Sequence, residues 1–325
     1  MINYLIRRLI YAVFILIGVN LITFLLFFKV NSPEDMARMA LGGKRVTAES
    51  IETWKREKGY DKPLFFNAEA SGLDAVGDTI FVQKSLPMFT GEFGSSDDGR
   101  NIAREIAVRA WPSLALALPV FIVGLAVNIT FSLGMAFFRG TYLDVTGVVL
   151  CVAAMSVSGL FYIIGGQYLF SKTLNLVPIS GYASGLDALR FLVLPVVVGV
   201  VSGIGSGARW YRTIFLEEIS RDYVRTARSK GLSETQVLYG HVLRNALIPI
   251  ITGSISVIPM LFMGSLISES FFGIPGLGSY TIEAINAQDF GVVRAMVFIG
   301  AVLYIFGLML TDVAYTAVDP RIRLE

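Results

Sequence analysis

Arg7-Arg8 is followed by LIYAVFILIGVNLITFLLFF, residues 9–28, a run of 20 residues without a charge. Twenty helical residues rise about 30 Å, the thickness of the hydrocarbon core of a bilayer. A cleavable secretion signal has a shorter apolar run, roughly 7–15 residues, and ends in a small-residue cleavage site. No A-x-A cleavage site follows within the 20 residues after residue 28. The stretch reads as a retained signal anchor and as the first membrane span.

Five further windows downstream carry no charge: residues 110–138, 145–171, 191–208, 246–268 and 295–311. The chain has 325 residues, of which only 16% are charged and 54% are hydrophobic. An ordinary soluble domain is about 25% charged, so the deficit points to membrane spans and not to one large soluble core. The expected fold is an all-α integral membrane protein of about six transmembrane helices. Two windows are short, but Arg190 and Arg294 at their ends can snorkel to the membrane surface. Pro112, Pro119, Pro195, Pro249 and Pro259 fall at or inside spans, where neighbouring chain re-satisfies the freed backbone groups.

Lys and Arg in the short loops set the orientation. With the N-terminus inside, the inner segments hold Arg7, Arg8, Arg139, Arg209, Arg212, Arg221, Arg225, Arg228, Lys230, Arg244, Arg321 and Arg323. The two short outer loops have basic residues only at their edges, Lys172, Arg190 and Arg294. Six spans return the C-terminus to the inside. The first outer segment, residues 31–105, is long enough for a small folded lobe. Within it Thr47 reads as a helix cap, Val46 and Ile51 as a hydrophobic staple and Gly59 as a helix stop. Beyond Pro63 the pattern breaks into turns at Ser71-Gly72, Gly77-Asp78, Gly91, Gly94 and Asp98-Gly99.

Several chemistries are missing. No Gly-x-x-x-x-Gly-Lys-[Ser/Thr] phosphate loop is present, and Gly42-Gly43-Lys44 is followed by Arg45. A single histidine, His241, rules out a multi-histidine metal site, and no metal site is expected. No acidic residue lies inside the uncharged windows, so a buried proton or sodium relay has little to work with. The net charge of +2 gives no reason to expect nucleic acid. The lone cysteine, Cys151, reads as an apolar core residue. Active transport by this chain would need another chain to hydrolyse nucleotide.

The informative loop is inside. Residues 217–230 read as a helix with charges on most faces, and Gly231 stops it through a left-handed conformation. Ser233, with Gln236 three residues on, restarts a helix as a capping box. A short helix on the membrane surface can dock into a groove on a partner; equally, it can be a solvated basic loop near anionic headgroups. His241 reads as a brace for the second helix or as a titrating group.

The segment Asp222-Tyr-Val-Arg-Thr-Ala-Arg-Ser-Lys-Gly-Leu232, with His241-Val-Leu-Arg-Asn-Ala-Leu-Ile-Pro249, resembles the coupling loop of ABC-importer permeases. It is most similar to the dipeptide/oligopeptide permease family. Tyr4-Leu-Ile-Arg-Arg8, Gly91-Glu-Phe-Gly-Ser95, Trp111-Pro-Ser-Leu114, Phe271-Phe-Gly-Ile-Pro-Gly-Leu-Gly278 and Val318-Asp-Pro-Arg-Ile322 follow the same family in order and spacing. Arg225-Thr226-Ala227 stands where the general permease loop has Glu-Ala-Ala, Leu243-Arg244 replaces its closing Leu-Pro, and residues 67–81 are longer than usual.

The resemblance implies a type I importer fold in the bacterial cytoplasmic (inner) membrane, multi-pass, with both termini cytoplasmic. Residues 1–30 would be the N-terminal segment and first span, 31–105 a periplasmic lobe, 106–318 a five-helix permease core with the coupling loop at 216–243, and 319–325 a cytoplasmic tail. It implies a second permease, most often a different chain, two ABC ATPase subunits that hold ATP and Mg, and a periplasmic solute-binding protein. This chain would hold no cofactor and would not be an enzyme. Asp222, Tyr223, Arg225, Thr226, Ala227, Arg228, Lys230, Gly231, Leu232 and His241 would form the ATPase-coupling site. Glu269, Phe271, Gly273, Pro275, Gly276 and Gly278 would lie near the outer gate. The solute would be a di- or oligopeptide, with nickel, glutathione, opine or oligosaccharide as alternatives.

Gly199, Gly203 and Gly207 recur every four residues, a doubled G-x-x-x-G that lets another helix approach closely, within this chain or in a partner. Asn128, Thr130, Ser156, Ser158, Gln167, Thr252, Ser254 and Ser256 are polar residues in or beside the spans, suited to a pathway lining or to interhelical hydrogen bonds. An ion-coupled secondary transporter would need midplane ionisable residues or inverted repeats, and the sequence has neither. A hydrolase pairing a span serine with His241 would lack an acidic orienter.

Overall fold

The computed structural model describes residues 2–42, 46–68, 70, 72 and 74–318. Lys44, Arg45, Ser71, Arg321, Arg323 and the 319–322 part of the terminal motif lie outside these residues. The described chain is helical and forms two compact units: Met1–Arg109 with Tyr280–Phe306, and Ala110–Ser279 with Gly307–Leu324.

The first unit opens with α1 (Ile2–Leu25), which runs on through a π-helical turn to Val30. The lobe follows as α2 (Pro33–Ala40), α3 (Ala48–Lys58), α4 (Asp74–Gly77) and α5 (Ile80–Ser85). Local chemistry fixes their ends. The Ser32 and Asp35 side chains cap each other's backbone at the start of α2, and the Thr47 side chain accepts from Ser50 N at 3.3 Å. Gly59, at φ +67°, closes α3. Phe24, Phe28, Met36 and Ile80 form the core of this unit, flanked by Trp54, Tyr60 and Phe81. Arg294 departs from its expected place at a span edge. It is 3% exposed, donates to the Lys84 carbonyl and the Ser85 hydroxyl at 3.0 Å each, and lies 4.9 Å from the Phe28 ring centre. A buried guanidinium needs such partners, and the helix α5 end supplies them where bulk water does not reach.

The second unit contains most of α6 (Ile102–Phe137), then α7 (Tyr142–Ser156), α8 (Gly159–Gly166) and α9 (Ala188–Ile219). Helix α9 is the mast of this unit and packs against α7, α8 and, further on, α12. The glycine stripe explains part of the close approach. A Cβ at Gly199 would come within 3.0 Å of Val120, and one at Gly207 within 2.6 Å of Asn128, both on α6; Gly203 has nothing within 4 Å. The tightest crossing uses Gly205, outside that repeat, where a Cβ would meet the Cys151 carbonyl at 2.6 Å. Cys151 is fully buried between Met135 and Ala208 and acts as a small apolar residue.

After α9 come α10 (Asp222–Ser229), α11 (Glu234–Val237), α12 (Leu243–Ile255), α13 (Ile258–Phe262), α14 (Leu266–Phe272), α15 (Leu277–Ala287) and α16 (Phe290–Val318). By length and apolarity four described helices suffice to cross a membrane: Ile6–Val30, Ile102–Phe137, Gly185–Ile219 and Phe290–Val313. Counted as one span, the pair Tyr142–Ser156 and Gly159–Thr173, bent by 90° at Val157-Ser158, gives a fifth. The window at 246–268 is not one helix but three short ones. Pro259 lacks the amide needed to continue a ladder, and Gly264 turns the chain at φ +75° before Ser265 caps α14.

Thr130, Ser156 and Ser254 donate to carbonyls four residues back in their own helices, at 2.8, 2.9 and 2.7 Å. Gln167 differs, donating to the carbonyls of Ile179, in the loop before α9, and of Phe271 in the α14 segment Leu266–Phe272, at 3.0 and 3.1 Å.

Candidate functional site

The segment Asp222–Leu232 is a short amphipathic helix and an elbow. Val224 and Ala227 are three positions apart, so they share the inner face of α10. They are 0% and 4% exposed and belong to one cluster with Tyr211, Phe215 and Ile219 of α9 and Leu133 and Ala136 of α6. Tyr223 and Leu232 flank the same cluster. Burying this face ties the short helix to the ends of two long helices, so a force on α10 reaches both.

The Tyr223 hydroxyl donates to Glu218 at 2.7 Å. Burial first, and then the Glu218 carboxylate, pushes the phenol up to about 12, so it stays a donor across the neutral range. On the outer face Asp222, Arg225, Thr226 and Lys230 are exposed. Arg225 has only a loose ion pair with Asp222 at 3.5 Å, and Lys230 has no ion pair among the described residues. Arg228 is engaged within the chain. Its guanidinium forks onto Glu234 at 2.8 and 3.1 Å and ties α10 to α11 across the elbow.

Gly231 makes the elbow at φ +79°, and its amide donates to the Arg228 carbonyl at 2.9 Å. A Cβ there would meet nothing within 4 Å, so backbone conformation alone asks for glycine. Ser233 and Gln236 form the expected capping box. Helix α11 then continues through a π-helical turn, Leu238–Val242, straight into α12. His241 sits in that turn half-buried, and its carbonyl accepts from the Asn245 side chain at 2.8 Å.

Behind this segment lies a contact that loop-by-loop reading missed. Arg212 of α9 holds Asp144 of α7 by two hydrogen bonds at 2.8 and 2.7 Å, with Asp144 5% exposed. The only local hint was an acidic residue in the first turn of α7, where it also accepts from Gly140 N at 3.1 Å.

The residues assigned to the outer loop divide. Glu269, Gly276 and Gly278 come together in a buried cage, and Gly273 at φ +65° ends α14 beside it. Phe271 and Pro275 are exposed. The Glu269 carboxylate is 0% exposed and accepts from three amides: Ser265 at 3.0 Å, Gly278 at 2.7 Å and Ser279 at 3.1 Å. The last two open α15, so the carboxylate caps a helix other than its own. Ser113, from the Trp111-Pro-Ser-Leu114 stretch, accepts from Leu277 N at 2.7 Å and bonds the same carboxylate.

The chain thus combines helices long and apolar enough to cross a membrane with a short amphipathic helix seated on two of them. The chain belongs to the family of binding-protein-dependent transport system inner membrane components, whose pattern matches residues 99–324; the N-terminal region of such components matches residues 1–78. It is a permease subunit of an ATP-binding-cassette importer, a multi-pass protein of the inner membrane. It is 33% identical, over 98% of both chains, to a protein of Brucella abortus (strain 2308) that carries the name of a peptide transport system permease protein. It is 29% identical over the full length of both chains to the glutathione transport system permease protein GsiC of Salmonella typhimurium (strain LT2). Systems of this kind include ATPase and binding-protein subunits.

Proposed function

We propose that this subunit carries short peptides inward and that Asp222–Leu232 is the segment an ATPase subunit pushes. The observation that carries the coupling role is the pairing of an exposed, basic outer face on α10 with an inner face buried on α9 and α6. Arg225 and Lys230 would meet acidic groups on the ATPase, while Arg228 stiffens the elbow and His241 braces the helix behind it. This chain would hold no nucleotide; ATP and Mg would belong to two partner ATPases, and hydrolysis with them. A second permease of different sequence would complete the pathway, with the termini cytoplasmic and residues 31–105 forming a periplasmic lobe. Glu269 to Gly278 would brace the outer gate.

The peptide substrate is supported by the two relatives' names, and glutathione, itself a tripeptide, is the second reading. The test is uptake of labelled di- and tripeptides and of glutathione by the reconstituted complex. Gly231→Val is expected to leave ATP hydrolysis running while peptide uptake falls at least several-fold. Equal uptake per ATP in the variant would refute the coupling assignment, and no peptide uptake in the parent complex would refute the substrate.

A further inference from the structure

The helix pair Tyr142–Ser156 and Gly159–Thr173 ends at Thr173 and the next long apolar helix begins at Gly185; with the pair counted as one span, residues 174–184 connect two spans at one membrane surface. A cavity of about 760 Å³ lies there, lined by Ser171, Lys172, Asn175, Leu176, Arg190 and Val193 among others. Two cations line it, and no acidic side chain does among the described residues. Neither cation has a salt bridge there; Lys172 only leans over the Tyr168 ring at 5.5 Å. Asn175 is held at φ +50°, a left-handed conformation that asparagine tolerates, and adds an amide to the rim. Leu176 and Val193, on the same cavity, are 68% and 50% exposed, and Leu174 and Leu189 beside them are also exposed.

Two unpaired cations call for an anion, and exposed apolar walls call for hydrocarbon. A phospholipid supplies both at one membrane surface, whereas a water-borne anion leaves the walls uncovered. We propose that this cavity binds an anionic phospholipid, with Lys172 and Arg190 on the phosphate and Leu176 and Val193 along the acyl chains.

The test places the complex in nanodiscs of phosphatidylcholine mixed with phosphatidylglycerol and measures retained lipid by native mass spectrometry. Preferential retention of phosphatidylglycerol is expected, falling about fivefold for each cation replaced in Lys172→Gln and Arg190→Gln. Lys172→Arg with Arg190→Lys is expected to keep it. Asn175→Asp adds a carboxylate without removing a cation, and it is expected to lower retention in a protein whose packing is untouched. Equal retention of the two lipids by the parent would overturn the proposal, as would unchanged retention in Asn175→Asp. Displacement of phosphatidylglycerol by inorganic phosphate would reassign the site to a soluble anion and overturn it equally.

Discussion

Two glycines of the second unit look alike on paper and work differently. Gly231 is exposed with open space around it, and glycine is required there by φ alone. Gly278 is buried, and a Cβ there would lie 2.7 Å from the Leu266 nitrogen and the Ser265 carbonyl carbon. Close packing of backbone on backbone requires glycine at Gly278, near the start of α15. The elbow is built from a conformation; the cage is built from excluded volume and a buried carboxyl group. The first gives little stability and leaves a surface free, while the second gives stability and leaves none.

The contrast is broken most directly at Glu269. Glu269→Ala strands three buried amides, and the expected loss is about 3–6 kcal/mol at roughly 1–2 kcal/mol for each. Thermal unfolding of the purified protein measures it, and an unchanged melting temperature would mean that water replaces the carboxylate. Glu269→Gln should fall between the two, because its amide NH2 faces backbone donors. Next comes Gly278→Ala, for which overpacking against backbone predicts a loss of about 2–3 kcal/mol in the same measurement. Gly231→Ala should cost only about 1–2 kcal/mol, the left-handed penalty, and Gly231→Asn still less. If Gly231→Ala destabilised as much as Gly278→Ala, the two glycines would not differ in kind. The smallest effect belongs to Arg228→Ala, about 0.5 kcal/mol, because its pair with Glu234 is largely solvent-exposed. Its signature is instead a looser elbow, visible as faster amide exchange over Lys230–Gly231 than in the parent.

Much of the chain was legible without coordinates. Four of the six apolar windows mark long helices, since a lipid-facing helix must carry apolar side chains wherever it is cut. Thr47, Gly59, Ser233 with Gln236, and Gly231 were legible because capping and left-handed turns act between residues at most four apart. Gly199 and Gly207 were legible as packing glycines, but Gly203 and Gly205 were not told apart, since an interval of four names a face and not the neighbour that covers it.

Local pattern therefore establishes that this is a helical membrane protein, where its chain turns, and which short helix is amphipathic. Folding in three dimensions establishes the rest: the 90° bend after Ser156, the three-part 246–268 segment, the Asp144–Arg212 pair and the Glu269 cage. The physical reason is distance along the chain. Arg212 reaches back 68 positions to Asp144, and Leu277 reaches 164 to Ser113. Buried polar groups take whatever partner packing brings within hydrogen-bond range, and no periodicity encodes which one that is.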